Sequence, residues 1–443
     1  MTILQRLGHQ IQHLFPANEH GQERAHWFLL TLQSILIPIT ASRTSNLLRT
    51  IATVFGCVIP QSRFYTFMAS SKLPWDRIWT LLWKAIPDPL TDGRLLLALD
   101  DSLNPKTGKK IFACERTFDH AAKTNQAQYP WAQTLVTIGL LRIIHDRWAC
   151  LPLAFAFYMR AITVKQEKRT VQGKSPVFAT KFEQAVDHIK RIATVFVECP
   201  VLVIADSWFG NNGLWQPLHS ALGSRAQILS RLRVNNILHD LPPPHSPGSP
   251  GRPRKYGERI GSVTIQAIYR KKDAKTYTVP LYGKHREVQA ASRVVVLRSL
   301  HTRVRVVWIY RKTQWLALFT TDLDLTIPQI IEYYGARWKI EAGFREIKQE
   351  IGSAQTQTRN PDAVNNHLHF CMIATTITWI YGASRLKAPP RRYATNQRTE
   401  YAFADVRRAL AHEFSDQGFG AVCPESNKSR KNPLIATLLD LVA

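Results

Sequence analysis

Cysteine is scarce in this chain of 443 residues: there are six, Cys57, Cys114, Cys150, Cys199, Cys371 and Cys423, and no two form a Cys-x-x-Cys pair. Thiols scattered over a chain of this length exclude a disulfide frame and a structural zinc site, and fit a reducing, cytosolic compartment. Long apolar runs are missing as well. The nearest, Trp27 to Ser42, is broken by Gln33 and Ser34, short of the roughly 18 residues that a membrane span needs. The N-terminal MTILQRLGHQIQHLF has no charged segment leading into an apolar run and a small-residue cleavage site, so no secretory signal is visible. Nor is there a Gly-x-x-x-x-Gly-Lys loop: Lys106-Thr107-Gly108-Lys109-Lys110 has the wrong spacing to cradle nucleotide phosphates, which argues against ATP dependence. Acidic residues are the last shortage. Asp and Glu number 32 against 58 Lys and Arg, a net charge of +26 and a pI near 10.1.

The rest of the composition, 45% hydrophobic and 20% charged, is that of a folded protein and excludes a disordered basic tail. Length supports roughly two to three domains. A cytosolic protein this basic has a polyanionic partner, with nucleic acid the default.

The first 90 residues read as helices. Apolar residues recur at helical spacing from Trp27 to Ile37 and from Leu47 to Val54; Pro60-Gln61-Ser62 opens a helix through Phe64 and Met68, and Trp75 to Ile86 gives another. With Arg43, Arg49 and Arg63 on its surface, this module is either a helix-turn-helix DNA reader or a helical cap. From Gly93 the pattern changes. Leu95 to Leu99 is a continuous apolar run ending in Asp100-Asp101, as in a buried central strand. Thr134 to Ile144 and Trp148 to Tyr158 read as strands, Phe178 to Val197 as an amphipathic helix, and Val201 to Ala205 as a second buried strand ending at Asp206. This order predicts an α/β sheet with its site at the strand termini.

Residues 225–321 hold many β-branched residues, among them Val263-Thr264-Ile265, Val294 to Val296, Val304, Val306 and Val307, between turn-rich breaks such as Leu241 to Gly251. They also hold 19 Lys and Arg against 4 Asp and Glu, so this segment carries +15 of the +26. Because a helical pattern resumes at Pro328, an all-β insertion inside the α/β domain is expected. The predicted division is a helical DNA-binding region at 1–90, a catalytic domain at 91–224 and 322–387, the insertion at 225–321, and a helical C-terminal region at 388–443 with a basic loop (Arg391, Arg392, Arg398) and a helix around Tyr401 to Phe414.

The most specific signal is Tyr334, Arg337, Glu341 and Lys348 in YGARWKIEAGFREIK. At about 100° per residue these four fall in one helical stripe roughly 60° wide, while Trp338, Ile340, Phe344 and Ile347 supply an apolar side to bury. One face thus presents a hydroxyl, a guanidinium, a carboxylate and an ammonium; incidental ion pairs on a solvated face are the bland alternative.

This spacing resembles the signature of DDE transposases of the insertion-sequence-4 family, and residues from about 90 to 385 match in order: Leu99-Asp100-Asp101-Ser102, Ile204-Ala205-Asp206-Ser207, a basic insertion, then the Glu341 helix. The resemblance implies a ribonuclease H-like fold in which two Asp and one Glu hold two Mg²⁺ or Mn²⁺ ions. In-line displacement at a phosphodiester needs a deprotonated nucleophile and a compensated leaving oxygen, which a metal pair supplies, and Mg²⁺ takes hard oxygen ligands. By resemblance the first ligand is the Asp that precedes a Ser or Thr, Asp101. Asp100 is its rival, since successive strand residues face opposite ways and only one of the two projects into a site. Asp206 and Glu341 complete the expected catalytic and metal-binding set. Arg337 and Lys348 are implied to clamp terminal phosphates, Arg337 bidentately and Lys348 as a point charge, and Tyr334 to hydrogen-bond a phosphate oxygen. Family members that form a DNA hairpin stack a flipped base on a Trp at the end of the insertion; Trp315 stands at that place, and a buried strand Trp is the equal alternative.

Weaker signals surround these. Pro250-Gly251-Arg252-Pro253-Arg254-Lys255 resembles the core of an AT-hook, in which Arg side chains enter a narrow minor groove; a solvated turn and a phosphate contact are the other readings. Lys106 to Lys110 stand a few residues past the Asp pair, placed to meet DNA phosphates. His367 and His369, two apart on a helix, do not share a face, and His9 and His13 lack the Glu of a zinc protease motif. The whole reads as a cytoplasmic, nucleoid-associated bacterial DNA transposase. It is expected to bind terminal inverted repeats and target as double-stranded DNA, as a homodimer in a synaptic complex, and to cut and join by cut-and-paste with a hairpin. A catalytically inactive regulator of transposition, or a metal-dependent nuclease without strand transfer, is the alternative.

Overall fold

The computed structural model describes residues 3–119, 122–244, 254–312, 314–395 and 399–416. Helices come first: α1 (Ile3–Gln12), α2 (Glu19–Leu36), α3 (Thr44–Phe55), α4 (Gln61–Met68) and α5 (Trp75–Ala85). Asn18 starts α2 by accepting a hydrogen bond from Gly21 N at 2.8 Å. Gly56, at φ 68°, closes α3 in the left-handed conformation that a side chain would strain.

The next block is β1 (Leu95–Pro105), β2 (Cys114–Arg116), β3 (Trp131–Ile144), β4 (Arg147–Tyr158), α6 (Ala161–Gln166), α7 (Lys181–Ala193), β5 (Val201–Ala205), α8 (Asn212–Leu222) and β6 (Ala226–Arg231). Thr180 and Glu183 form a capping box at the start of α7. The strands lie in the order β4-β3-β1-β5-β6. β3 pairs antiparallel with both β4 and β1, whereas β5 runs parallel to β1, and β6 parallel to β5. This mixed α/β arrangement is consistent with a ribonuclease H-like domain.

The sheet continues past β6. It takes in β7 (Ile237–His239), β8 (Arg259–Ser262), β9 (Lys275–Leu281), β10 (Lys284–Leu297), β11 (Thr302–Tyr310) and β12 (Trp315–Thr320), with α9 (Val263–Arg270) between β8 and β9. β12 pairs antiparallel with β6 and β11 with β12, so the described strands make one twelve-stranded sheet. The expected all-β insertion is corrected in two ways. β6 belongs to the parallel centre of the sheet, and Val263-Thr264-Ile265 open a helix. Ser262 caps that helix by accepting from Ile265 N at 3.3 Å; a good N-cap and a buried face (Val263, Ala267) override the strand preference of three β-branched residues.

After β12, Thr326 and Gln329 form a second capping box and start α10 (Ile327–Ala336), followed by α11 (Trp338–Arg345), a π-helical turn (Glu346–Glu350), α12 (Pro361–Ser384) and α13 (Phe403–Asp416). α12 is buried along almost its whole length, the mark of a helix at the centre of a core. Its Phe370 packs against Phe28, Phe67 and Trp75, and Trp75 Nε1 donates to Asn366 at 2.7 Å. The N-terminal helices therefore share one hydrophobic core with the sheet and α12. No helix among the described residues is long and apolar enough to cross a membrane.

Candidate active site

The pleat of β1 decides which carboxylate faces which layer. Leu96 and Ala98 pack with Ile330, Ala336 and Ile340 of α10 and α11, whereas Leu95, Leu97 and Leu99 pack on the other face with Ala185 and Ile189 of α7. Asp100 continues the first series and Asp101 the second. Accordingly, Asp100 Oδ2 accepts from Arg337 Nη1 at 2.9 Å, while Asp101 Oδ2 accepts from Lys181 Nζ, at the start of α7, at 2.7 Å. Of the adjacent pair, the structure brings Asp100, not the expected Asp101, to the Glu341 side.

Arg337 is the hub. It is buried at the junction of α10 and α11, and its Nη2 donates to Glu341 Oε1 at 3.3 Å. Its guanidinium carbon lies 5.7 Å from the centroid of the Tyr334 ring. Burial pushes the Asp100 carboxyl up to about 7; Arg337 opposes the rise, and the negative charges of Asp206 and Asp101 add to it. Burial also raises Glu341, again against Arg337 and with help from Asp206. Asp206 is thus within electrostatic reach of both. It sits just past β5, where its Oδ1 accepts from Trp208 N and Phe209 N at 3.0 Å each. Gly210 lets this loop close onto β6: a Cβ there would stand 2.1 Å from Ser230 Oγ, the hydroxyl that donates to Asp206 O at 2.6 Å. Among the described residues no three His, Cys, Asp or Glu side chains are arranged as the ligands of one ion; Asp100 and Glu341 are joined through Arg337. In donor type, three carboxylates on one face of a sheet suit a hard divalent cation.

Residues 14–295, well over half the chain, match the family model described as DDE superfamily endonuclease. The chain belongs to that family. As a DDE superfamily endonuclease it is a nuclease- or transposase-type enzyme with DNA as its substrate, and enzymes of this superfamily generally use divalent metal ions. The matched span contains Asp100, Asp101 and Asp206 and stops before Glu341. No curated protein matches the chain by sequence.

The other expected site residues of this endonuclease are placed unevenly. Lys348 is largely buried and donates to Ser102 Oγ and, at 2.6 Å, to Leu103 O; burial lowers its ammonium to about 8. Its charge is directed at β1, not at solvent. The π-helical turn breaks the simple stripe, a deviation that recurs at functional sites. The turn's Glu346 is buried, accepts from Trp379 Nε1 at 3.1 Å, and is pushed up to about 8 by that burial. Trp338, expected on the apolar side, is 56% exposed. Trp315 packs into the core on the Ala317 and Phe319 face of β12, whereas Tyr334 packs with Leu316 and Leu318 on the opposite face; the structure does not bring Trp315 and Tyr334 together. Arg254 and Lys255 are exposed, and Arg252 lies outside the described residues. Lys106 is buried and donates to the carbonyls of Ser353, Ala354 and Thr356 at 3.3, 3.0 and 2.9 Å, so of its basic run only Lys109 and Lys110 reach the surface. His367 bonds to Ser42 O, and His369 Nδ1 accepts from Trp79 Nε1 at 3.0 Å; both histidines are structural.

Sequence reasoning missed a groove. A cavity of about 900 Å³ opens beside Tyr334 and is lined by Tyr282, Tyr310, Lys271, Arg286, Arg311 and Lys312, with Glu287 the acidic exception. The charge count of residues 225–321 was the signal for it, but only strand pairing and α10 bring these side chains to one wall.

Proposed function

We propose that the protein is a divalent-metal-dependent DNA transposase that cuts and joins DNA ends. The observation that carries this reading is the gathering of Asp100, Asp206 and Glu341 around Arg337 on one face of the sheet. Asp100, Asp206 and Glu341 would hold the metal, which when bound supplies the charge compensation and the activated hydroxyl of in-line phosphodiester cleavage. Arg337 neutralises the carboxylates before substrate arrives and is close enough to meet a phosphate afterwards. Tyr334, partly buried, packs its ring beside that guanidinium. Lys348 holds β1 in register with the helix through Ser102 and Leu103. The cationic groove beside Tyr334 extends the site with a surface suited to a DNA backbone.

The Tyr334, Arg337, Glu341 and Lys348 spacing supports placement beside insertion-sequence-4 transposases, with terminal inverted repeats as the bound ends, a dimer as the synaptic unit, a hairpin as the intermediate, and the bacterial cytoplasm as the setting. A labelled linear fragment bearing the element's end, a target plasmid and Mg²⁺ or Mn²⁺ test this reading. Joined products that depend on all three carboxylates are expected. Cleavage without joining would mark a nuclease, and DNA binding with no metal-dependent cleavage would overturn the enzyme reading.

A further inference from the structure

Trp208 stands two residues beyond Asp206 and is 42% exposed. Its indole lies parallel to the Phe182 ring, with centroids 4.9 Å apart and 3° between the planes, and Phe209 meets it edge-on at 4.8 Å. Lys181 Nζ is 5.2 Å from the indole centroid and is held there by Asp101. The loop beneath is fixed by the bonds of Asp206 to Trp208 N and Phe209 N. A preorganised aromatic stack, open to water and flanked by a cation, thus adjoins Asp206, whose carboxylate would repel a phosphate backbone. Phe209, fully buried, packs in the core below, whereas the indole stays half-exposed above it.

We propose that the Trp208–Phe182 stack, with Lys181 beside it, is a platform for one unpaired DNA base next to the scissile phosphate. Aromatic stacking accepts any base, since every base has a π-face, and each stacked base strengthens binding by roughly 5- to 150-fold. Lys181 adds a cation for the adjoining phosphate. Asp101 then acts as a positioning residue that fixes Lys181, which gives the carboxylate facing away from Glu341 a role of its own. The inference rests on the reading of Asp206 as part of the active site, and its test does not depend on cleavage.

The full-length protein, in EDTA, is titrated with a short labelled duplex of arbitrary sequence, either blunt or ending in a few unpaired nucleotides that include 2-aminopurine. Wild type is expected to bind the tailed duplex about tenfold more tightly than the blunt one and to quench the 2-aminopurine. Trp208→Leu, which keeps apolar bulk but cannot stack, should lose both effects with blunt-duplex affinity unchanged, and Trp208→Tyr should keep most of them. A tail preference that survives in Trp208→Leu, or is absent from wild type, overturns the platform. Cleavage with Mg²⁺, measured in parallel, reports on the enzyme reading: intact cleavage without a tail preference sinks the platform alone, and a tail preference without any cleavage sinks the enzyme reading alone.

Discussion

Asp100 sets up a test in stability that is independent of activity. Its carboxyl titrates near 7 in the folded protein instead of near 3.8, chiefly because it is buried. The unfolded chain restores the ordinary value. Between about pH 4 and pH 7 the folded state keeps a proton that the unfolded state has released, so stability falls as pH rises through that window. The full effect, reached above pH 7, is about 4 kcal/mol. Asp100→Asn retains the shape and removes the titration. In EDTA, urea unfolding should therefore show variant and wild type nearly alike at pH 4. By pH 8 the variant should be the more stable by about 4 kcal/mol, since the folded value near 7 already includes the attraction of Arg337. Asp101→Asn should bring no such gain, because it leaves Lys181 without its partner. Millimolar Mg²⁺ should narrow the gap by stabilising wild type alone, as a ligand of the native state does. An Asp100→Asn protein no more stable than wild type at pH 8 would refute the assignment of a costly buried carboxylate to this position.

Two further substitutions separate positioning from DNA contact. Lys348→Met should leave Ser102 unpaired, lower stability by about 1–3 kcal/mol in urea unfolding and reduce cleavage, while DNA affinity and its salt dependence hold; a shallower salt slope in a binding titration would instead make Lys348 a phosphate clamp. Lys106→Met should cost about 2–4 kcal/mol, because two buried carbonyls and one partly buried one lose their donor, with DNA affinity changed little; a large fall in DNA affinity with unaltered melting would place Lys106 on the DNA.

Much of the scaffold was legible in the chain. The apolar runs at Leu95 to Leu99 and Val201 to Ala205 open β1 and form β5, at whose ends the carboxylates stand, and helical spacing located α3 to α5, α7 and α13 within a few residues and α2 without its first eight. The choice between Asp100 and Asp101 was not legible. Alternation says that the two face opposite ways, but only the packing of α10 and α11 on the Leu96 and Ala98 side says which of them meets Arg337 and Glu341. Likewise, helical spacing put Lys348 in the polar stripe, whereas the π-helical turn and the reach of its ammonium to Ser102 depend on tertiary packing. α9 was hidden because its opening residues favour strands and its cap is a single Ser262. β6 was misassigned because charge composition, which marked the segment's start, is blind to strand order.

Metal-dependent cleavage of an end fragment by wild type, Asp100→Asn, Asp101→Asn, Asp206→Asn and Glu341→Gln tests the central claim most directly. With Mg²⁺, the Asp100, Asp206 and Glu341 variants should each lose at least about 1,000-fold in rate, equivalent to about 4 kcal/mol at the transition state, while Asp101→Asn keeps measurable cleavage. An inactive Asp101→Asn beside an active Asp100→Asn would contradict the site as built here.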